Sequence, residues 1–139
     1  MPDLVFVDSN ILVYAHDRSD PEKHAKARNV VRSCWTERTG CLSLQVLQEF
    51  YVNITRKVQR PLPLNVARDL LATYAVWRLA ALSAEDVITA SRLEERYDLQ
   101  FWDALILTAA RLLKAPIILS EDMQHGMEID GTRIQNPFL

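Results

Sequence analysis

Two short apolar runs that lead straight into carboxylates constrain this chain more than any other feature: Leu4–Val7 before Asp8, and Pro116–Ser120 before Glu121 and Asp122. Such runs suit buried strands. Between them the apolar residues recur at helical spacing. Asn10 to His16 reads as a short helix, and Asp20 with Pro21 opens a helix to about Arg38, with Gly40 as its stop. Cys41 to Ser43 is a second strand, and Leu44, Leu47, Phe50, Tyr51 and Ile54 form a helical stripe that the segment Pro61 to Pro63 ends. A helix is predicted from about Asn65 to Tyr74 and a strand near Val76 to Ala80. Ser83 and Asp86 resemble a capping box for a helix to about Tyr97, and another helix runs from about Leu99 to Lys114. Pro116 to Ser120 is the last clear strand. Short strands alternating with helices imply an α/β fold around a mainly parallel sheet, in which ligands bind at the carboxyl ends of the strands near the reversal of strand order.

At 139 residues the chain fits one domain, and no repeat or linker divides it. Its start lacks a basic segment followed by an apolar stretch, and no apolar run approaches the length of a membrane span, so a cytoplasmic protein is expected. Cys34 and Cys41 lack paired zinc-site spacing and read as buried thiols. A net charge of -2 argues against a protein that holds nucleic acid by a sheath of positive charge, so any such contact is local. The densest basic stretch is Arg56, Lys57 and Arg60, with Arg68 downstream, which reads first as a solvated helix end.

Of the 18 acidic residues, four are embedded in apolar sequence. Asp8 follows a buried-looking run, where a carboxylate is costly unless paired, hydrogen-bonded or metal-bound; its alternative role is a helix N-cap. Asp103 sits inside FWDALILTAA, where the alternative is a first-turn interaction with the helix dipole. Glu49 lies off the centre of its apolar stripe and by itself reads as a solvated acid, and Asp122 lies in a turn that favours Asp for conformational reasons. Gathered together, they repel one another until a cation neutralises them, and an oxygen-only donor set favours Mg²⁺ or Mn²⁺ over zinc. Such an ion polarises a phosphoryl oxygen and supplies hydroxide near neutral pH, which is chemistry for hydrolysing phosphodiesters.

Other chemistries find no support. His16, His24 and His125 are far apart in sequence, with no metal-ligand spacing, and surface or structural roles are expected for them. There is no GxSxG elbow, P-loop or GxGxxG. A phosphate-accepting receiver needs a Lys after the last strand, which SEDMQHG lacks, and a haloacid-dehalogenase-like phosphatase wants an Asp where this chain has Asn10.

The segments DSNILVYA from Asp8, LQVLQEFYVNITRK around Glu49, FWDALILTAA around Asp103 and ILSEDMQHG leading to Asp122 together resemble the PIN-domain family. The likeness is greatest to the VapC-like toxins of type II toxin-antitoxin systems, and the ending GTRIQNPFL also resembles that group. The resemblance spans essentially the whole chain and implies a PIN-like fold, its central sheet flanked by helices. It maps the family's invariant acids onto Asp8, Glu49 and Asp103, and its fourth acid onto Asp122. Ser9 and Asn10 match the small polar residues after the first acid, Ser120 matches the Ser or Thr two residues before the last, and Glu121 falls at a variable position. It further implies a Mg²⁺- or Mn²⁺-dependent endoribonuclease acting on RNA such as tRNA or rRNA. A homodimer is implied too, inhibited by a small antitoxin that itself binds the operon DNA. The competing reading is a PIN-fold module that binds RNA or protein without cleaving it.

Overall fold

The computed structural model describes residues 2–139. In chain order it contains β1 (Val5–Val7), α1 (Ser9–His16), α2 (Pro21–Glu37), β2 (Gly40–Ser43), α3 (Leu44–Arg56), α4 (Leu64–Tyr74), β3 (Arg78–Ala80), α5 (Ala84–Tyr97), α6 (Phe101–Leu112), β4 (Ile117–Leu119), β5 (Glu128–Ile129) and β6 (Thr132–Gln135). The strands form one sheet in the order β3-β2-β1-β4-β6-β5. Every pairing is parallel except β5 with β6. The expected mainly parallel sheet flanked by helices is what forms. One helical group packs α1 on α2 and α3, and α3 on α4; in the other, α5 lies on α6, which runs along β2, β3, β4 and β6. The deepest side chains, among them Phe6, Leu42, Phe50, Leu107 and Ile118, fill the space between sheet and helices.

Strand order reverses between β1 and β4, because the chain leaves β1 toward β2 on one side and reaches β4 on the other. A crevice at the carboxyl ends of those two strands follows from the topology. Asp8 and Ser120 stand there, one residue beyond each strand, and the Asp8 N–H donates to Leu119 O at 3.0 Å.

Side-chain caps set the starts of four of the six described helices, α1, α2, α3 and α5. Asp20 accepts from the Lys23 N–H at the start of α2, Ser43 from the Val46 N–H at the start of α3, and Ser83 with Asp86 completes a reciprocal capping box on α5. The last helix is shorter than its apolar sequence suggests. Asp98 adopts a left-handed conformation at φ 54° and the Leu99 N–H returns to Glu94 O, so Leu99 ends α5 rather than opening α6, and Lys114 at φ 59° lies past the far end. Val76 and Trp77 belong to the turn after α4, which trims the strand expected from Val76 to Arg78–Ala80.

Two expectations are corrected. Gly40 does not stop α2: Arg38 does, in the left-handed region at φ 58° with its N–H on Cys34 O, and Gly40 begins β2. The glycine is required for a different reason, since a Cβ there would lie 2.8 Å from three ring atoms of Trp77. Gly40→Ala is therefore expected to destabilise the fold by about 1–3 kcal/mol through overpacking, read as a lowered denaturation midpoint at constant slope. Nor is β4 the last strand. Asp130 and Gly131, both at positive φ (49° and 86°), form a two-residue hairpin between β5 and β6, and β6 then pairs parallel with β4.

Cys34 and Cys41 are buried free thiols, pushed up by burial to about 11 and about 12. The histidines are structural: His16 bonds Tyr74 Oη at 2.7 Å, His24 Nδ1 bonds Tyr14 O at 2.8 Å, and His125 Nδ1 accepts the Asn136 N–H. Among the described residues no helix is long and apolar enough to cross a membrane.

Candidate active site

Asp8 is both the cap of α1 and the centre of a polar cluster. Its Oδ1 accepts the Ser9 N–H at 2.8 Å and its Oδ2 accepts Ser120 Oγ–H at 2.7 Å. The N-cap role weighed for it in sequence is real and does not compete with the second role, because each oxygen faces a different partner. Only 6% of Asp8 is exposed. Burial pushes its carboxyl above the usual range; the bonds from Ser120 and Ser9 oppose that, and the charges of Asp122 and Asp103 add to it.

The other three acids arrive from separate elements. Glu49 projects from α3 and accepts Ser9 Oγ–H at 3.4 Å. Its carboxyl is raised by partial burial and then by the charge of Asp8, with Asp103 contributing further. Asp103 lies in the first turn of α6, as the helix-dipole reading requires, yet burial and the charge of Asp122 raise its carboxyl rather than lower it. Asp122, exposed in the turn after β4, accepts Asn10 Nδ2–H at 3.2 Å. Glu49, Asp103 and Asp122 line one cleft of about 580 Å³. The structure thus brings all four sequence-selected carboxylates into mutual electrostatic reach.

Ser9, Asn10 and Ser120 tie the cluster together. Asn10 Nδ2 lies 3.4 Å from Asp8 Oδ2, 3.2 Å from Asp122 Oδ2 and 3.5 Å from Ser120 Oγ, while its Oδ1 accepts the Glu121 N–H at 3.1 Å. Ser120 is fully buried; its hydroxyl donates to Asp8 and accepts the Met123 N–H at 3.3 Å, which fixes the turn carrying Asp122. Glu121 points elsewhere, into an ion pair with Lys23 on α2, whose ammonium also lies over the rings of Tyr14 and Phe138. That pairing was not readable from sequence, since its partners lie 98 residues apart.

The donor set tests what the site is able to hold. Among the described residues, no three or more carboxylate, histidine or cysteine side chains form a ready-made metal cage. Mg²⁺ does not require one, because it keeps several waters and binds through one or two carboxylates plus substrate phosphates. Four carboxylates with no imidazole or thiolate among them fit Mg²⁺ or Mn²⁺, and three of the four are raised, by burial first and by the neighbouring acids after it, so a cation would favour their charged forms.

Comparison with known proteins places this geometry in context. The PIN domain family profile matches residues 5–125. No curated protein sequence matches the chain. Among solved structures, a chain of a toxin-antitoxin complex from Klebsiella pneumoniae superposes with TM-score 0.67 at 20% identity, covering 96% of this chain and 97% of that one. VapC20 of Mycobacterium tuberculosis, described as a sarcin-ricin loop cleaving toxin, gives 0.66 at 20% identity over 85% of this chain and 91% of its own. A chain of VapBC2 from Rickettsia felis, bound to promoter DNA, gives 0.63 at 15% identity over 96% and 98%. At these identities the likeness establishes the shared fold.

Proposed function

Because the chain belongs to the PIN domain family, we propose that it is a single-domain, Mg²⁺- or Mn²⁺-dependent endoribonuclease working in the cytoplasm, with Asp8, Glu49, Asp103 and Asp122 as its catalytic and metal-holding acids. The observation that carries this reading is the convergence of four carboxylates, one of them buried, on the crevice where strand order reverses. Asp8 and Asp103, with help from Asp122 and Glu49, would hold the ion. When bound, it would polarise the scissile phosphoryl group and make hydroxide available near neutral pH. The protein's own contribution is orientation. Ser120 and Ser9 fix the two oxygens of Asp8, Asn10 holds Asp8 and Asp122 in register, and Ser9 holds Glu49 beside them.

The toxin-antitoxin complexes among the structural neighbours support a cognate antitoxin that would hold the chain inactive and carry any contact with DNA, and the homodimer is proposed from the family resemblance. An Arg from that partner directed at the carboxylates would replace the charge of the ion. The test is cleavage by the purified, antitoxin-free chain of tRNA and ribosomal RNA pools. Endonucleolytic products are expected with Mg²⁺ or Mn²⁺ and none with EDTA. Intact RNA in every metal-containing reaction would overturn the nuclease in favour of the silent binding module.

A further inference from the structure

Two clefts meet at Asp122. The first, which holds Glu49 and Asp103, runs out past Gln100 and Trp102, and the second, about 350 Å³, runs past Asn10 to Asn53 and Lys57; Asp122 lines both. Trp102 immediately precedes Asp103 and is 63% exposed. Its ring is edge-packed on Phe101 at 5.6 Å and its carbonyl accepts Gln45 Nε2–H at 3.4 Å. The indole is thus anchored at its base while most of it faces water, beside a cleft that carries Glu49, Asp98, Asp103 and Asp122. At the other end Lys57 is exposed and makes no salt bridge among the described residues, although it borders a cleft that contains Asp17, Glu121 and Asp122.

We infer that one unpaired nucleic-acid strand lies across both clefts, with a base stacked on Trp102 and a phosphate of the same strand at Lys57. This inference rests on the nuclease reading and adds to it the residues that position the substrate. An aromatic face accepts any base by stacking, and a lone ammonium neutralises one phosphate. A rigid duplex would not supply both contacts, because its bases are already stacked on one another. Asp122 stands where the two clefts meet, with Glu49 and Asp103 lining the same cleft as Trp102, and the scissile phosphate would lie there.

The test uses the full-length protein and a single-stranded RNA oligonucleotide that it cleaves, in Mg²⁺ at several salt concentrations. Trp102→Ala is expected to raise KM roughly 5- to 100-fold, the range that stacking of one base supplies, with kcat nearly unchanged. Trp102→Phe should recover most of the loss. An abasic residue at one position beside the cut should cost the wild type the same factor and cost Trp102→Ala nothing further. Lys57→Ala should lower the slope of log KM against log salt by about 0.7, the value for one phosphate contact on a single strand. An unchanged KM in Trp102→Ala, or an abasic penalty that persists in full in that variant, would overturn the inference while leaving the nuclease intact. Conversion of a wild-type dimer to monomers by Trp102→Ala in sedimentation, with the abasic penalty undiminished, would assign the indole to a second copy of the chain and overturn it as well. Failure of the wild type to cleave any RNA would instead remove the reading beneath it.

Discussion

Asp103→Asn is expected to abolish metal-dependent cleavage while leaving the fold intact. The substitution keeps the size of the side chain and its place in the first turn of α6, but removes the charge directed toward Asp122 and Glu49. The loss should be at least the roughly 100-fold that removing an outer-shell partner of a metal can cost, because here a candidate ligand itself is lost. If Asp103 served only the helix dipole, the same change would cost about 0.3–1 kcal/mol of stability and spare activity. Thermal unfolding beside RNA cleavage separates the two roles, and retained cleavage would remove Asp103 from the site.

A second large effect is expected in the pH dependence of stability. In the metal-free protein the carboxyls of Asp8, Glu49 and Asp103 lie above their ordinary values of 3.8, 4.5 and 3.8. A group raised in the folded state contributes stability that is complete below its unfolded pKa and is lost as pH rises through its folded pKa. Measured in EDTA, Asp103→Asn should therefore match the wild type near pH 3.5 and become progressively the more stable protein toward neutrality. Mg²⁺ should reverse the order, since an ion that binds only the folded wild type stabilises it by about 2.7 kcal/mol at 100 times its dissociation constant. Scanning calorimetry across pH, with and without Mg²⁺, reads both arms. A wild type whose melting temperature ignores Mg²⁺ at neutral pH would contradict the metal assignment.

The sequence announced the site more clearly than its surroundings because desolvation is a local cost. A carboxylate directly after Leu4–Val7, or inside FWDALILTAA, contradicts its apolar neighbours and is conspicuous for that reason. Glu49 was not conspicuous in this way. Its partial burial arises from α3 packing beside α1, a tertiary fact with no local signature, so by itself it reads as a solvated acid and gains weight only beside the other three and the family resemblance. Gly40 misleads because glycine is used in two unrelated ways: the left-handed stop it suggests is carried by Arg38, while its missing side chain makes room for Trp77. The hairpin of β5 and β6 had a usable signal in Asp130-Gly131, followed by the alternation of buried Thr132 and Ile134 with Arg133 and Gln135. Strands of two and four residues are too short for periodicity to stand out. Trp102 read as part of an apolar helix, since a sequence does not say which turn of a helix is left uncovered.

The parallel pairing of β6 with β4 also bears on when the candidate site is complete. Ser120, which holds Asp8, is itself fixed by its N–H on Gln135 O, and the bond between Ser120 and Asp8 joins residues 112 apart. Contacts of such sequence separation close late, after loop entropy has been overcome elsewhere. A nascent chain still missing β6 lacks the Gln135 carbonyl that fixes Ser120, and with it the final hold on Asp8. On the nuclease reading, latency before completion is built into the order of the strands, and cleavage would report finished folding rather than the presence of the acids.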